Sequence, residues 1–372
     1  MHLHHSTSIA EQFIQSRQVS HIREFGNGNI NDTYLVTTDA DEQTFPQEKH
    51  FILQRINTQV FKKPRLIMQN MRRFTEHVRA RARAEGHRWV MPRVISAADG
   101  QDFYIDPDGN FWRAISYVYG TRSFETIKDA KLAYEVGFAL GTFQYLISDL
   151  PIYELSDTLE GFHIMPRYLQ GYDVAFSHNG YKSSAEVKYC LRFVEQRRKF
   201  APVLEDARER GRIPLRPVHG DPKVNNVMIE ESTGRALSLV DLDTVKPGLI
   251  HYDIGDCLRS GCNPLGEETE NWEAVCFDPE IGAAILEGYL SQARRFLTAA
   301  DYEYLFDSIR LLTFELGVRF FTDYLAGNVY FKVRHHEHNL QRALVQFKLT
   351  ESIEAHESEI RRIIQGMVSP AR

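Results

Sequence analysis

Cysteine is scarce: four residues (Cys190, Cys257, Cys262 and Cys276) in a chain of 372. A set this thin cannot staple so long a chain, and it reads as reduced, partly buried thiols of a cytoplasmic protein. Cys257 and Cys262 have no second cysteine pair or nearby histidine set to complete a zinc site. Long apolar runs are missing too, since none approaches the roughly 18 residues needed to cross a bilayer. The opening MHLHHSTSIAEQF has neither a basic n-region nor an apolar h-region, so no secretory signal is expected and a cytoplasmic location is. Neither sign of charge dominates: 44 Lys and Arg face 50 Asp and Glu, a formal charge of −6 and a pI near 6.2. With 43% hydrophobic and 25% charged residues, disorder, collagen-like structure and a disulfide scaffold are excluded. The near balance hides two opposed regions. Residues 61–93 hold ten Lys and Arg against two Asp and Glu, and residues 221–256 hold seven Asp and Glu against three Lys and Arg.

What is present changes character along the chain. Thr33 to Thr38 and Phe51 to Ile56 are β-branched and aromatic, and each reads as a strand. Between Ile67 and Val78, apolar residues recur at helical spacing, with Arg65, Arg72, Arg79 and Arg83 on other faces. That basic face is expected to be solvated, with an anionic partner such as nucleic acid as the alternative. Phe103-Tyr104-Ile105 and Phe111 to Ile115 flank Asp106-Pro107-Asp108-Gly109-Asn110, a hairpin turn. A strand Ser116 to Tyr119 is expected next, ending at Gly120, and from about residue 125 long helices take over, marked by Leu132 to Ile147 and Leu311 to Leu325. Strands first and helices second, without βαβ alternation, predict two lobes of an α+β type.

One stretch interrupts the helical half: His219-Gly220-Asp221-Pro222-Lys223-Val224-Asn225-Asn226, an apolar run, Ser232-Thr233-Gly234, and a second apolar run ending in Val240-Asp241-Leu242-Asp243. Two apolar runs around a Ser-Thr-Gly turn predict a β-hairpin. With the turn centred on Thr233-Gly234, Asn226 lies opposite Asp241, beside the loop that carries Asp221. Hard oxygen ligands converging there suit Mg²⁺, which keeps several waters and shares its remaining positions between carboxylates and phosphates. Asp221 is placed to accept a proton from an incoming hydroxyl, and Lys223 puts a cation near charge building on a transferring phosphoryl group.

The loop His219 to Asn226 resembles the catalytic loop of the aminoglycoside phosphotransferase-like small-molecule kinases, relatives of the protein kinases, with Asp241 where those carry the aspartate of Asp-Phe-Gly. Segments Asn29 to Tyr34, Ile52 to Asn57, Val240 to Thr244, Asp253 to Asp256, Arg319-Phe320, Asp323 to Leu325 and Tyr330-Phe331 look like the N-acetylhexosamine 1-kinases within that group. The resemblance implies an α+β, two-lobed protein-kinase-like fold. Residues 1–115 would form a small, mainly-β nucleotide-binding lobe, residues 116–372 a larger, mainly-α catalytic and acceptor lobe, with a hinge at 116–122.

It also implies ATP and Mg²⁺ as cofactors and a small sugar as substrate, with anomeric phosphorylation of an N-acetylhexosamine as the reaction. Asp221 and Lys223 would be catalytic, Asn226 and Asp241 would hold the metal, and Asn29, Asp243, Arg319 and Tyr330 would meet the sugar. Nucleotide contacts would come from the turn Gly26 to Gly28, from Asn31 and Gln54, and from Tyr117 and Tyr119 at the hinge. The alternatives left open are another hydroxyl acceptor (an aminoglycoside, choline, homoserine or methylthioribose) and a pseudokinase. Two departures stand out. Gln54 or Arg55 occupies the strand position where protein kinases have lysine, and Asn29 stands where the hexosamine kinases have histidine. On spacing alone Arg319 belongs to an ion-pair ladder with Glu315 and Asp323; the resemblance assigns it to the sugar. Asp253 is expected to buttress the catalytic loop's backbone, His163 to line a turn or pocket wall, and His335, His336 and His338 to lie in a solvated loop. No membrane or nucleic-acid partner is expected.

Overall fold

A computed structural model describes residues 2–14, 17–26, 30–41, 49–178 and 183–368. The N-terminal part is an antiparallel sheet of β1 (Val19–Glu24), β2 (Asp32–Thr38), β3 (His50–Ile56), β6 (Phe111–Ser116) and β4 (Val94–Ile95), in that order, with β5 (Tyr104–Ile105) also paired to β6. Successive side chains of a strand point to opposite faces, and the core divides accordingly. Leu35, Ile52 and Ile115 pack against Ile67, Met71, Phe74 and Val78 of α2 (Pro64–Glu85). Their neighbours Val36, Leu53 and Ala114 face the other way, onto Ile9 and Phe13 at the end of α1 (His2–Ala10). On the basic face of α2, Arg65, Arg79 and Arg83 are exposed as expected, and the other arginines of the helix are tied down. Arg72 pairs with Asp102, Arg73 with Glu154 and Arg81 with Asp149, so the helix is an ion-paired strut between the sheet and the helical half.

Strand β6 ends at Ser116, and Tyr117 to Gly120 leave the sheet, so no separate strand spans 116–119. Helices follow: α3 (Ala130–Ile147), α4 (Met165–His178), α5 (Ala185–Arg197), α6 (Val203–Glu209), α7 (Ile250–Gly261), α8 (Pro279–Ala293), α9 (Ala299–Glu303), α10 (Leu305–Leu325), α11 (His338–Ala355) and α12 (Glu357–Val368). Helices α3 and α8 pack backbone to backbone, because a Cβ on Gly137 would fall 1.9 Å from the Ile285 carbonyl oxygen. Short strands interrupt this helical part. β7 (Thr121–Arg122), β9 (Val227–Glu230) and β10 (Ala236–Leu239) form one ribbon, while β8 (Arg216–Val218) pairs with β11 (Lys246–Gly248). The small antiparallel sheet followed by a helical region is the α+β fold that the order of elements predicts.

Candidate active site

The loop after β8 is held at every backbone polar group from His219 to Asp221. Asp253, on the first turn of α7, accepts the His219 N–H at 2.9 Å on one carboxylate oxygen and the Gly220 N–H at 2.8 Å on the other. The His219 carbonyl accepts from the Thr244 hydroxyl (2.8 Å), and the Gly220 carbonyl accepts from His163 Nε2 (2.7 Å). The Asp221 N–H donates to His219 Nδ1 (3.3 Å), and its carbonyl accepts from Asn226 Nδ2 (2.7 Å). Asp253 is itself anchored by Gln144 of α3 at 2.8 Å, and Gln144 accepts from Tyr289 of α8 at 2.7 Å. Burial pushes Asp253 up to about 6, and the donors around it pull the other way. Gly220 has φ +88°, and a Cβ there would lie 2.8 Å from Thr244, so both conformation and space demand glycine.

The two histidines flanking this loop have opposite proton inventories. His219 Nε2 donates to the Val240 carbonyl (3.1 Å), while its Nδ1 accepts the Asp221 N–H, so the ring is neutral. Burial drives its pKa down to about 4. His163 faces acceptors on both sides, the Gly220 carbonyl and Glu315 at 2.8 Å. Burial opposes charge on that ring, but Glu315 offsets it and holds the pKa above the usual histidine range.

Asp221 lies 3.0 Å from Lys223 Nζ. Burial alone would raise its pKa, yet the Lys223 ammonium holds it below the usual carboxylate range. The hairpin forms, with a register one residue away from the expected one. Leu239 pairs with Val227 and Ser238 with Met228, a bulge follows before Ala236, and Val240 N–H bonds the Asn226 carbonyl. Asn226 is therefore opposite Val240. Asp241 follows at φ +62°, a left-handed turn out of the strand. The offset arises at the turn, where Ala236 pairs with Ile229 and the Glu230 N–H bonds the Arg235 carbonyl, so the turn centres on Ser232-Thr233 rather than Thr233-Gly234; the bulge takes back one residue of that offset.

Asp241 opens onto solvent, but protein walls replace much of its solvent shell, and Asp243 and Asp221 add repulsion. Together they push it up to about 6. Asn226 spends its amide N–H₂ on the Asp221 carbonyl, leaving Oδ1 as the free end. An amide oxygen and a carboxylate short of positive charge fit a hard divalent cation. Among the described residues no group of three or more His, Cys, Asp or Glu side chains is arranged as a metal cage, so such a cation depends on oxygens from water and phosphate.

Asp243 joins this centre to the N-terminal sheet. Its carboxylate forms an ion pair with Arg113 of β6 and accepts from Asn31 Nδ2 at 2.6 Å. Gln54, directly across from Arg113 on β3, accepts two bonds from that guanidinium (2.9 and 2.6 Å) and donates to Thr33 (3.0 Å). A cation thus reaches the strand-lysine region from the neighbouring strand. The sequence signal was a charged residue inside the apolar run Phe111-Trp112-Arg113-Ala114-Ile115. Both Asp243 oxygens face protein groups rather than an open pocket.

Gly26 turns at φ +78°, and the preceding Phe25 ring meets Tyr117 edge-on at 6.1 Å, which brings the glycine turn to the segment after β6. The Tyr119 hydroxyl accepts the His50 N–H at 2.7 Å and so pins that segment to β3. Gly28 and Asn29 lie outside the described residues.

The ladder around Arg319 does not form. Glu315 bonds His163, and Asp323 accepts the N–H groups of Val329, Tyr330 and Phe331 at 2.9, 2.8 and 3.0 Å. The Arg319 guanidinium instead lies 5.1, 5.2 and 5.5 Å from the ring centroids of Phe162, Tyr168 and Phe331, with no hydrogen-bonded or ion-paired partner among the described residues. Tyr330, half exposed, stands edge-on to Phe331 at 4.8 Å, so Arg319 and Tyr330 share one pocket wall. His335 and His336 are exposed, whereas His338 is buried against Glu268 at 2.7 Å.

A sequence profile of the phosphotransferase enzyme family (APH) matches residues 21–299. Among solved structures, an aminoglycoside phosphotransferase from Alicyclobacillus acidocaldarius superposes with a TM-score of 0.62 at 14% identity, over 96% of each chain. A microcompartment-associated aminopropanol kinase gives 0.60 at 17%, over 96% of this chain and 98% of that one. A Plasmodium vivax ethanolamine kinase gives 0.54 at 12%, over 88% and 82%. At these identities the likeness is one of fold.

Proposed function

The chain belongs to the phosphotransferase enzyme family, and from that premise we propose that it is an ATP- and Mg²⁺-dependent kinase for a sugar hydroxyl, the anomeric hydroxyl of an N-acetylhexosamine. Residues 1–115 serve as the nucleotide lobe and 116–372 as the catalytic and acceptor lobe. The observation that carries the reading is the loop 219–221, whose backbone is fully hydrogen-bonded and which groups Asp221, Lys223, Asn226 and Asp241 around one space.

In this reading Asp221 aligns the acceptor hydroxyl and takes its proton late. A carboxylate kept ionised by Lys223 is a weak base, which suits a loose transition state in which positioning matters more than proton abstraction. Lys223 also stabilises charge on the transferring phosphoryl oxygens. Asn226 Oδ1 and Asp241 would hold Mg²⁺, which supplies charge neutralisation at the phosphates. Gly26, Gly28, Asn31, Gln54, Tyr117 and Tyr119 are assigned to the nucleotide and Asn29 to the sugar, while Asp243, its carboxylate spent on Arg113 and Asn31, braces the nucleotide side instead of touching the sugar. A sugar is favoured over an amine-bearing acceptor because Arg319 is a cation with no ion-paired partner among the described residues, beside aromatic rings. Such a wall repels an ammonium group and offers donors to hydroxyl and acetamido oxygens.

The test is a coupled ADP-release screen of N-acetylhexosamines, hexosamines, neutral hexoses and amino alcohols. N-Acetylhexosamines are expected to give the highest kcat/KM, and Asp221→Asn to lower kcat at least 1,000-fold while nucleotide affinity holds within about threefold. Turnover confined to amino alcohols would replace the acceptor. No turnover with any hydroxyl compound would leave the pseudokinase.

A further inference from the structure

His163 has no role in the scheme above, yet its setting is demanding. The residue is buried at 5% exposure, and its backbone sits at φ +64°, a region a bulky side chain occupies only under compulsion. A carbonyl oxygen can only accept, so Nε2 carries the proton in the 2.7 Å bond to Gly220. That carbonyl belongs to the peptide joining Gly220 to Asp221. Glycine offers little torsional resistance, so the orientation of this peptide plane depends on its hydrogen bonds. On the other side of the ring, Glu315 lies one helical turn before Arg319 on α10. Phe162, whose ring is 3.9 Å from His163, is also one of the rings beneath Arg319.

We propose that His163, braced by Glu315, is a positioning residue that fixes the Gly220–Asp221 peptide and couples the aim of Asp221 to the wall holding Arg319. The inference rests on Asp221 being the group that aligns the acceptor. Losing the donor leaves a buried carbonyl unsatisfied and the peptide plane held on its N–H side alone, by the 3.3 Å bond from Asp221 to His219. A displacement near 1 Å at the reacting group costs up to roughly 100-fold in rate.

Two substitutions separate the ring's bonds. His163→Asn keeps an amide near Nδ1 for Glu315, removes the donor to Gly220, and suits positive φ better than histidine does. His163→Gln places an amide near Nε2 and retains that donor. With ATP, Mg²⁺ and N-acetylglucosamine, or the best acceptor of the screen, His163→Asn should lower kcat about 10- to 100-fold with the KM for ATP within twofold. His163→Gln should stay within about fivefold of wild type. In an Asp221→Asn background, His163→Asn should lower the residual rate less than twofold, because no aspartate is left to aim. Independently of turnover, amide hydrogen exchange at Asp221 should accelerate at least tenfold in His163→Asn and stay near wild type in His163→Gln.

Unchanged exchange in His163→Asn overturns the proposal whatever the acceptor is. So do equal losses in both variants, a full loss in the Asp221→Asn background, or an asparagine variant that fails to fold while the glutamine variant folds, which would make the contact purely structural. Wild-type protein without turnover defeats the kinase reading instead, and exchange still reads the clamp.

Discussion

Replacing Arg113 by methionine removes the one cation among the described residues that is ion-paired with Asp243. Arg113 is 1% exposed and Asp243 2%, and they are linked by an ion pair with Gln54 beneath the guanidinium. Deleting one partner of a buried pair strands the other as an uncompensated charge, at a cost of about 3–5 kcal/mol. Gln54 also loses both donors to its side-chain oxygen, adding about 1–3 kcal/mol if that atom finds no water. Arg113→Met should therefore destabilise the N-terminal sheet by about 4–6 kcal/mol, allowing for relaxation. Urea unfolding followed by tryptophan emission measures this, since Trp112 is buried next to Arg113 on β6. The decisive measurement is the double variant. Adding Asp243→Asn keeps an acceptor for Asn31 but removes the stranded charge, so it should recover about 2 kcal/mol relative to Arg113→Met alone. A single variant within 1 kcal/mol of wild type, or a double variant less stable than the single, refutes the argument.

Two further outcomes follow from the site. Arg319→Ala should raise the acceptor KM at least tenfold and leave the ATP KM within twofold, because its guanidinium serves the pocket wall and forms no ion pair among the described residues; an unchanged acceptor KM removes it from the pocket. Asp241, pushed up to about 6 in the metal-free protein, must lose its proton to bind Mg²⁺. The apparent Mg²⁺ dissociation constant should be flat above about pH 7 and rise towards tenfold per unit below pH 6. Titration calorimetry from pH 5 to 8 checks the slope, and a flat profile removes Asp241 as a ligand.

The parts of the site that are close in sequence were legible before any coordinates. Asp221, Lys223 and Asn226 sit within one loop, and the Ser-Thr-Gly turn returns Asp241 to it, so local rules suffice. Asp253 was equally foreseeable, since the kinase-like pattern assigns an aspartate there to the loop's backbone. The bulge near Ala236 escaped notice because inserting a residue leaves hydrophobic alternation almost intact. Arg113, and the bonding of His163 beyond its expected place in a turn or pocket wall, escaped for a different reason. Their partners, Asp243 and Glu315, are far away in sequence, and only the folded chain brings them together. Arg319 shows the converse failure. Its spacing from Glu315 and Asp323 fits a helical ladder, but each carboxylate has a stronger claim on it elsewhere.

The wiring of Asp253 separates two kinds of evolutionary freedom. The geometry of the reacting loop is fixed from behind, through Gln144 and Tyr289 of helices that do not line the acceptor wall. The proposed acceptor wall around Arg319 includes the segment after α10, where Val329 is largely open to solvent and Tyr330 half exposed. Substitutions along that lip can retune what is phosphorylated while the chemistry is left alone, whereas a conservative change at Tyr289, remote from any bound molecule, should silence every acceptor equally.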